Sequence, residues 1–325
     1  MKKPTLKSLA IVVPVFNEED AIPFFKQAMV PLLQKLGDMG IQSRFVFVND
    51  GSSDKTGEVI GTSDWPVDVH LLNLTRNFGK ESALTAGLAH ANDDAVVVMD
   101  VDLQDPPELI IEMVKHWNCG SKVVIPIRKD RSDDSVSKRL TAELFYRLHN
   151  RISNVNVPRN AGDFRLMDRV VVEAVNMLPE NRRFMKGILA WVGFSATYLE
   201  FKRPVRSAGT TKYSFWKMWR YAVEGITSFS EAPLIIWTFI GAIIAFFAFS
   251  YAAYIVTSTL FFGVDTPGYA SLITIILFLG GIQLLGIGVL GEYLGRIYSE
   301  VKRRPSFLVA DDVRIPVRSD QSFRA

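Results

Sequence analysis

Two long uncharged stretches constrain this chain more than any other feature. No Lys, Arg, Asp or Glu occurs from Ala232 to Val264, and none from Thr266 to Gly291. Each exceeds the ~20 apolar residues that span a bilayer core. Asp265 alone separates them, so the pair reads as a helical hairpin. Lys202, Arg203, Arg206, Lys212, Lys217 and Arg220 precede it, and Arg296, Lys302, Arg303 and Arg304 follow it. The loop at Asp265 carries no Lys or Arg. The positive-inside rule then places both ends in the cytoplasm and the loop outside, giving a multi-pass membrane protein. The second stretch holds Gly280, Gly281, Gly286, Gly288 and Gly291, and Gly295 follows it within the second span. Gly291 and Gly295 form a small-xxx-small pair that permits close helix approach, within the hairpin or between subunits of a homo-oligomer.

The residues before the hairpin have the charge density of an ordinary α/β domain. Apolar, β-branched runs predict strands at Leu9–Val15, Arg44–Val48, Val69–Leu74, Ala95–Met99 and Lys122–Ile127. Helical patterns lie between them: Glu18 to Leu36 with a break at Pro31, a short one from about Ser53, Lys80–Ala91 and Pro107–Trp117. The βαβα rhythm predicts a mainly parallel sheet with helices on its faces. Ligands of such sheets bind at the carboxyl ends of the strands, and Asn17, Asp50, Arg76 and Asp100 all stand just past predicted strand ends. From Asp133 to Phe201 the pattern reads as mostly helical, with a strand near Ser195–Phe201. Lys212–Glu231 is amphipathic, with Trp216, Trp219, Val223 and Ile226 on one face. It reads as a helix in the membrane interface, the alternative being a packed surface helix. The residues after Pro305 show no clear pattern.

The expected organisation is a cytoplasmic catalytic domain over 1–210, interfacial helix over 211–231, two spans over 232–295 and a cytoplasmic tail over 296–325. The formal net charge of +3 does not suggest a nucleic-acid binder. Cys119 is the one cysteine, which excludes an intramolecular disulfide and four-Cys zinc patterns. The apolar run after Ser8 stops at Pro14 and Glu18, too short for a cleavable signal sequence.

The sharpest local signal is Asp100-Val101-Asp102 after a Val-Val-Val-Met strand, followed by Gln104 and Asp105. Two carboxylates so placed can share a hard divalent cation with substrate phosphates. Asn49-Asp50-Gly51-Ser52-Ser53-Asp54 also follows a strand. Asp50 there can accept a nucleobase N–H, or the segment is an Asx-type turn with Ser53 or Asp54 as helix cap. Arg76-Asn77-Phe78-Gly79-Lys80 opens a helix, where Arg76 and Lys80 meet phosphate or simply solvent.

Taken in order, Pro14-Val15-Phe16-Asn17-Glu18, Asn49-Asp50-Gly51-Ser52-Ser53-Asp54 and Asp100-Val101-Asp102-Leu103-Gln104-Asp105-Pro106 resemble the signatures of glycosyltransferase family two. Their spacing is similar to its polyprenyl-phosphate branch, which includes dolichol-phosphate mannose synthases. Asn160-Ala161-Gly162-Asp163-Phe164-Arg165-Leu166-Met167, Phe184-Met185-Lys186-Gly187-Ile188-Leu189, Glu224-Gly225-Ile226-Thr227-Ser228-Phe229-Ser230 and Gly280 through Arg296 look like bactoprenol glucosyltransferases. The resemblance covers roughly residues 8–308. It implies a glycosyltransferase A type domain and inverting transfer of a sugar, glucose from UDP-glucose foremost, to undecaprenyl phosphate. It also implies a bacterial inner-membrane location and a place in cell-surface glycan modification such as that of lipopolysaccharide O-antigen.

By position, the resemblance puts Pro14, Phe16, Glu18 and Asp50 on the nucleoside. Asp100, Asp102 and Gln104 fall on the metal, Mg²⁺ or Mn²⁺, and the diphosphate. Asp102, Asp163 and Arg128 fall at the reacting centre, with Arg128, Lys138, Arg139 and Arg206 as basic positions for acceptor phosphate. Asp163 is then a base or an orienting group, unless it simply pairs with Arg165. Phe16 stands where many relatives have Tyr, and Asn49 replaces the first Asp of the common Asp-Asp-Gly-Ser. A processive polysaccharide synthase of the wider family would carry Gln-x-x-Arg-Trp, which is absent from the sequence. A non-catalytic glycolipid transport component is the alternative of a different class, and another donor sugar is the alternative within this one.

Overall fold

A computed structural model describes residues 7–128, 162–181, 183, 185–201, 232–262 and 268–317. They fall into two compact units: the residues up to Phe201 with those from Arg304 onward, and Ala232 to Arg303. Lys138, Arg139, Arg206 and the Lys212–Glu231 segment lie outside the described residues.

The first unit is built on an eight-stranded sheet. Its strands are β1 (Ser8–Val15), β2 (Gln42–Asn49), β3 (Asp68–Leu74), β4 (Ala95–Val98), β5 (Val123–Arg128), β6 (Arg165–Asp168), β7 (Ala196–Phe201) and β8 (Val309–Ile315). The spatial order is β7-β5-β6-β4-β1-β2-β3-β8. Strands β4, β1, β2 and β3 run parallel, as the βαβα rhythm requires, and β5 is parallel to β7. Strand β6 is antiparallel to both β4 and β5, and β8 is antiparallel to β3. Of the segment 133–201, expected to be mostly helical with a strand near Ser195–Phe201, residues 133–161 lie outside the described ones; the rest holds helices at Arg169–Asn176 and Met185–Trp191 and the strand β7, and adds the unexpected strand β6 between β4 and β5. The patternless segment after Pro305 is likewise a strand. There β8 covers the free edge of β3, with His70 paired to Asp312 and the Thr75 N–H donating to the Leu308 carbonyl at 3.0 Å. Covering an edge strand removes a template for unwanted pairing.

The helices of this unit are α1 (Ala21–Asp38), α2 (Thr56–Thr62), α3 (Lys80–His90), α4 (Leu109–Asn118), α5 (Arg169–Asn176) and α6 (Met185–Trp191). Helix α1 runs on through Pro31 rather than breaking there. Proline removes one backbone donor, but Ile22, Phe25, Met29, Leu32, Leu33 and Leu36 bury one face and hold the helix against the sheet. Phe25 meets Phe45 and Phe47 of β2 edge-on, at ring-centroid distances of 5.7 and 6.0 Å. Helix α3 is buried continuously from Ala83 to Leu88. Its small residues let it lie flush on the sheet, which fixes Lys80 and Glu81 in its first turn. Helix α2 starts at Thr56 rather than near Ser53, and Asp54 Oδ1 takes the Thr56 N–H at 3.0 Å.

The second unit contains α7 (Ala232–Phe262) and α8 (Tyr269–Val301). Leu234–Ile255 and Thr274–Val301 within them are long and apolar enough to cross a membrane, with mean hydropathies of 2.2 and 2.1. A methyl at Gly286 would lie 2.1 Å from the Trp237 indole nitrogen, so this glycine lets the Trp237 ring of α7 approach the backbone of α8. Nothing approaches within 4 Å of a methyl built at Gly291 or Gly295.

Candidate active site

The strand order reverses between β1 and β4, and ligand crevices of open α/β sheets open at such a switch point. Registers align the strand ends there: Val15 with Asn49, Asn49 with Asn73, and Val12 with Val98. Loops after β1, β2, β3 and β4 therefore rise side by side.

The first two loops are laced together. Asn17 sits at φ 54°, a left-handed conformation that Asn tolerates better than most residues. Its N–H donates to Ser52 Oγ and its Oδ1 accepts the Ser53 N–H, each at 2.9 Å. The Glu18 N–H donates to Thr56 Oγ1 at 2.8 Å. Asn49 accepts the Ser52 N–H at 3.1 Å and donates through Nδ2 to Asn73 Oδ1 at 2.9 Å. An aspartate at 49 could not make the second bond, which gives a physical reason for the amide there.

Asp50 is 3% exposed. Its oxygens accept the Phe78 N–H at 2.7 Å and the Gly79 N–H at 2.9 Å. Burial pushes its carboxyl above the ordinary range, against those two donors and Arg76. In this structure Asp50 thus anchors the loop after β3. Gly51 lies at φ +66°, and a methyl there would sit 2.3 Å from the Arg76 carbonyl carbon. We expect Gly51→Ala to cost at least ~1–3 kcal/mol and to lower the thermal midpoint by several degrees, at ~2–4 °C per kcal/mol. Thermal unfolding of the solubilised chain checks this, and an unchanged midpoint would refute the close approach.

Lys80 and the acids around it form the electrostatic centre. The Lys80 ammonium lies 2.7 Å from the Asp100 carboxylate and 3.0 Å from Asp163 Oδ2. Both acids hold Lys80 firmly protonated despite its partial burial. Burial pushes Asp163 up, yet Lys186, Lys80 and Arg165 outweigh it and hold its carboxyl below the ordinary range. Asp163 is therefore an anion at neutral pH. The buried Arg165 guanidinium donates to the Gly162 carbonyl at 2.6 Å and the Asp163 carbonyl at 3.4 Å. It ties down the loop backbone, while the Asp163 carboxylate turns to Lys80.

Asp102 Oδ1 accepts the Gln104 N–H at 3.1 Å across Leu103, which sits at φ 52°. Burial first, then Asp102, Asp54 and Asp100, raise the Glu18 carboxyl. That shift reports a concentration of negative charge between the β1 and β4 loops. Among the described residues no three His, Cys, Asp or Glu side chains converge on one metal position. Asp100 and Asp102 with this field still fit a hard cation that takes its remaining ligands from substrate phosphate and water.

Residues 10–175 match the profile of glycosyl transferase family 2. The chain belongs to this family. A prophage bactoprenol glucosyl transferase homolog of Escherichia coli K12 is 51% identical over 93% of the chain and 98% of its own length. The bactoprenol glucosyl transferase of Shigella phage SfV is 51% identical over 94% and 98%. An uncharacterized glycosyltransferase of Synechocystis is 47% identical over 93% and 95%.

For this family 2 glycosyltransferase, the structure brings Glu18, Lys80, Asp100, Asp102 and Asp163 into one electrostatic cluster, with Asp50 bonded to the loop that opens into Lys80. Pro14 is the penultimate residue of β1, and Phe16 is exposed just beyond it. Arg76 stacks on Phe78 at 4.0 Å and donates to the Asn77 carbonyl. Gln104 contributes its backbone to the Asp102 turn. Arg128 closes β5 opposite Phe201. Two charged residues escape the motif reading. Glu81 follows Lys80 on α3, and Lys186 lies in the Phe184–Leu189 motif, where the sequence assigns it no role.

Proposed function

We propose that this glycosyltransferase moves glucose from UDP-glucose to a polyprenyl phosphate, undecaprenyl phosphate foremost, with inversion at the anomeric carbon. The observation that carries this reading is the 51% identity to bactoprenol glucosyl transferases over almost the whole chain, apolar helices included. A phosphate oxygen of the lipid attacks the anomeric carbon while the bond to the UDP oxygen breaks. The new C–O bond forms opposite the leaving group, and UDP departs with the electron pair. The acceptor is already an anion, so the enzyme's work is to hold two anions in line and to stabilise charge on the leaving diphosphate.

Asp100 and Asp102, with Gln104 beside them, would hold Mg²⁺ or Mn²⁺. That cation supplies charge neutralisation for the departing diphosphate. Lys80 adds a fixed cation, and Asp163 orients it. Pro14, Phe16, Glu18 and Asp50 border the nucleoside, while Arg76, Arg128, Lys138, Arg139 and Arg206 are the candidates for phosphate. A polyprenyl tail stays in the bilayer, so α7 and α8 serve as a membrane hairpin in the bacterial inner membrane, with the sheet domain cytoplasmic. Lys212–Glu231 would lie at the interface. The open face at Gly291 and Gly295 supports self-association of α8.

Transfer from radiolabelled nucleotide-sugars to undecaprenyl phosphate, with Mg²⁺ or EDTA, tests the reading. Metal-dependent lipid label from UDP-glucose alone is the expected result. Label from another donor replaces the sugar, and folded protein that labels no lipid overturns the function.

A further inference from the structure

The C-terminal strand β8 has no part in the reaction as described, yet its contacts run past the strand that it covers. It follows α8 in the chain and pairs within the sheet with β3 alone. Three points fasten it. The Val317 N–H donates to Asp68 Oδ1 at 3.0 Å where β3 begins, and His70 pairs with Asp312 in the middle. The Leu308 carbonyl takes the Thr75 N–H at 3.0 Å, just beyond the end of β3. Burial does not account for this arrangement. From Ala310 to Arg314 the strand is exposed, and Ile315 is its residue packed against the apolar core. The register also shifts at the end nearest the site. Asp311 stands opposite Asn73 but Val309 opposite Leu74, which leaves Ala310 as an extra residue. Such a bulge bends the strand and re-aims the chain beside it, and here it brings Leu308 to Thr75.

Thr75 is the step into the Arg76–Lys80 loop. Arg76 lies so close to Gly51 that a methyl there would sit 2.3 Å from the Arg76 carbonyl carbon. The Phe78 and Gly79 N–H groups go to Asp50, and Lys80 opens α3 and meets Asp100 and Asp163. Asp50 therefore holds the middle of the loop and α3 its exit, while β8 holds its entry. Resting on the donor reading above, we infer that β8 is a positioning element for the nucleotide-sugar. By taking the Thr75 N–H, the Leu308 carbonyl keeps the Arg76–Lys80 loop in the conformation that binds the donor. A loop ordered beforehand loses less freedom on binding and so binds more tightly.

Covering the edge of β3 is the other role of β8, and the two roles have different consequences. Edge cover acts on the stability of the sheet. Positioning acts on the donor and spares the acceptor, since β8 lies at one edge of the sheet and Arg128, a candidate for acceptor phosphate, closes β5 near the opposite edge.

Thr75→Pro removes the N–H that Leu308 takes, and Leu74 before it is already in a strand, the conformation a residue preceding proline favours. Asp312→Ala loosens β8 from its middle, whereas Asp312→Asn keeps an oxygen for His70. The solubilised full-length proteins are titrated calorimetrically with UDP and Mg²⁺. Thr75→Pro and Asp312→Ala should bind UDP roughly fivefold more weakly, the weight of one hydrogen bond, and Asp312→Asn should bind as wild type does. The UDP-glucose KM should rise in step while the undecaprenyl phosphate KM stays unchanged. Amide hydrogen exchange over residues 75–80 should quicken in the two weakened variants. Asp312→Ala carries the test if Thr75→Pro does not fold. A lower thermal midpoint with unchanged UDP affinity would leave β8 an edge cover alone and overturn the inference, as would an equal rise in both KM values. Wild-type protein that binds UDP but labels no lipid overturns the acceptor reading and leaves this one standing. Wild-type protein that binds no UDP overturns both.

Discussion

Changing Asp100 and Asp102 together to Asn leaves a folded chain whose transfer rate falls at least ~10³-fold, since losing even one preorganised charge-stabilising group costs ~10²–10³. The fold survives because asparagine keeps the oxygens that the structure uses. At position 102 the amide oxygen would still accept the Gln104 N–H across Leu103. At position 100 it would still face the Lys80 ammonium. Neither side chain belongs to the apolar core. What disappears is two negative charges at the switch point, the pair with which the β4 loop can draw a divalent cation toward a diphosphate. Burial of the Glu18 carboxyl aside, its upward shift comes from these same acids together with Asp54, so the double variant should also let Glu18 ionise more readily. The measurement is single-turnover transfer with saturating Mg²⁺, beside thermal unfolding of both proteins. Full activity in a well-folded double variant would remove the metal site from the account.

Much of this site can be read along the chain because its parts are local. A Val-Val-Val-Met strand delivers Asp100 to the carboxyl end of the sheet, and the Asn-Asp-Gly turn delivers Asp50, with no knowledge of anything distant. The same reading fails where a partner remote in sequence decides. Arg165-Leu166-Met167-Asp168 is only four residues long and runs straight into a helix. Its strand character comes from antiparallel pairing with β4 and β5, which hydrophobic period cannot report. Val309–Ile315 lacks alternation because it is a mostly exposed edge strand, and it is set by its pairing with β3. Lys80 reads in the sequence as a residue at a helix start that meets phosphate or solvent. The fold brings Asp163 to within 3.0 Å of it, and no spacing in the sequence foretells that. The sequence marks Asp50 as a candidate nucleoside ligand or part of an Asx-type turn, but not as the acceptor for the Phe78 and Gly79 N–H groups.

Lys80→Met is the second large effect, and here chemistry and stability should fail together. The Lys80 side chain is 44% exposed and Asp163 21% exposed. Breaking a fully buried pair by removing one partner costs ~3–5 kcal/mol. Partial exposure lets water screen the orphaned acids, so ~1–3 kcal/mol is expected. The sign with pH follows from Asp163. Its folded-state carboxyl is depressed, with Lys186 and then Lys80 opposing burial. That stabilisation is present above the unfolded carboxyl value and is lost as pH falls through the folded one. Without Lys80 the Asp163 carboxyl moves up and the neutral-pH contribution shrinks. The loss of thermal midpoint should therefore be larger near neutrality than in acid, where Asp163 is protonated in both proteins. Transfer should fall ~10²–10³-fold, as for removal of one preorganised electrostatic group. Lys80→Arg should recover part of the stability, since a guanidinium can still bridge two carboxylates. It should recover less of the rate, because the cation is displaced. A midpoint loss that is the same at every pH would show that Lys80 does not hold Asp163 ionised, and would leave it a packing residue alone.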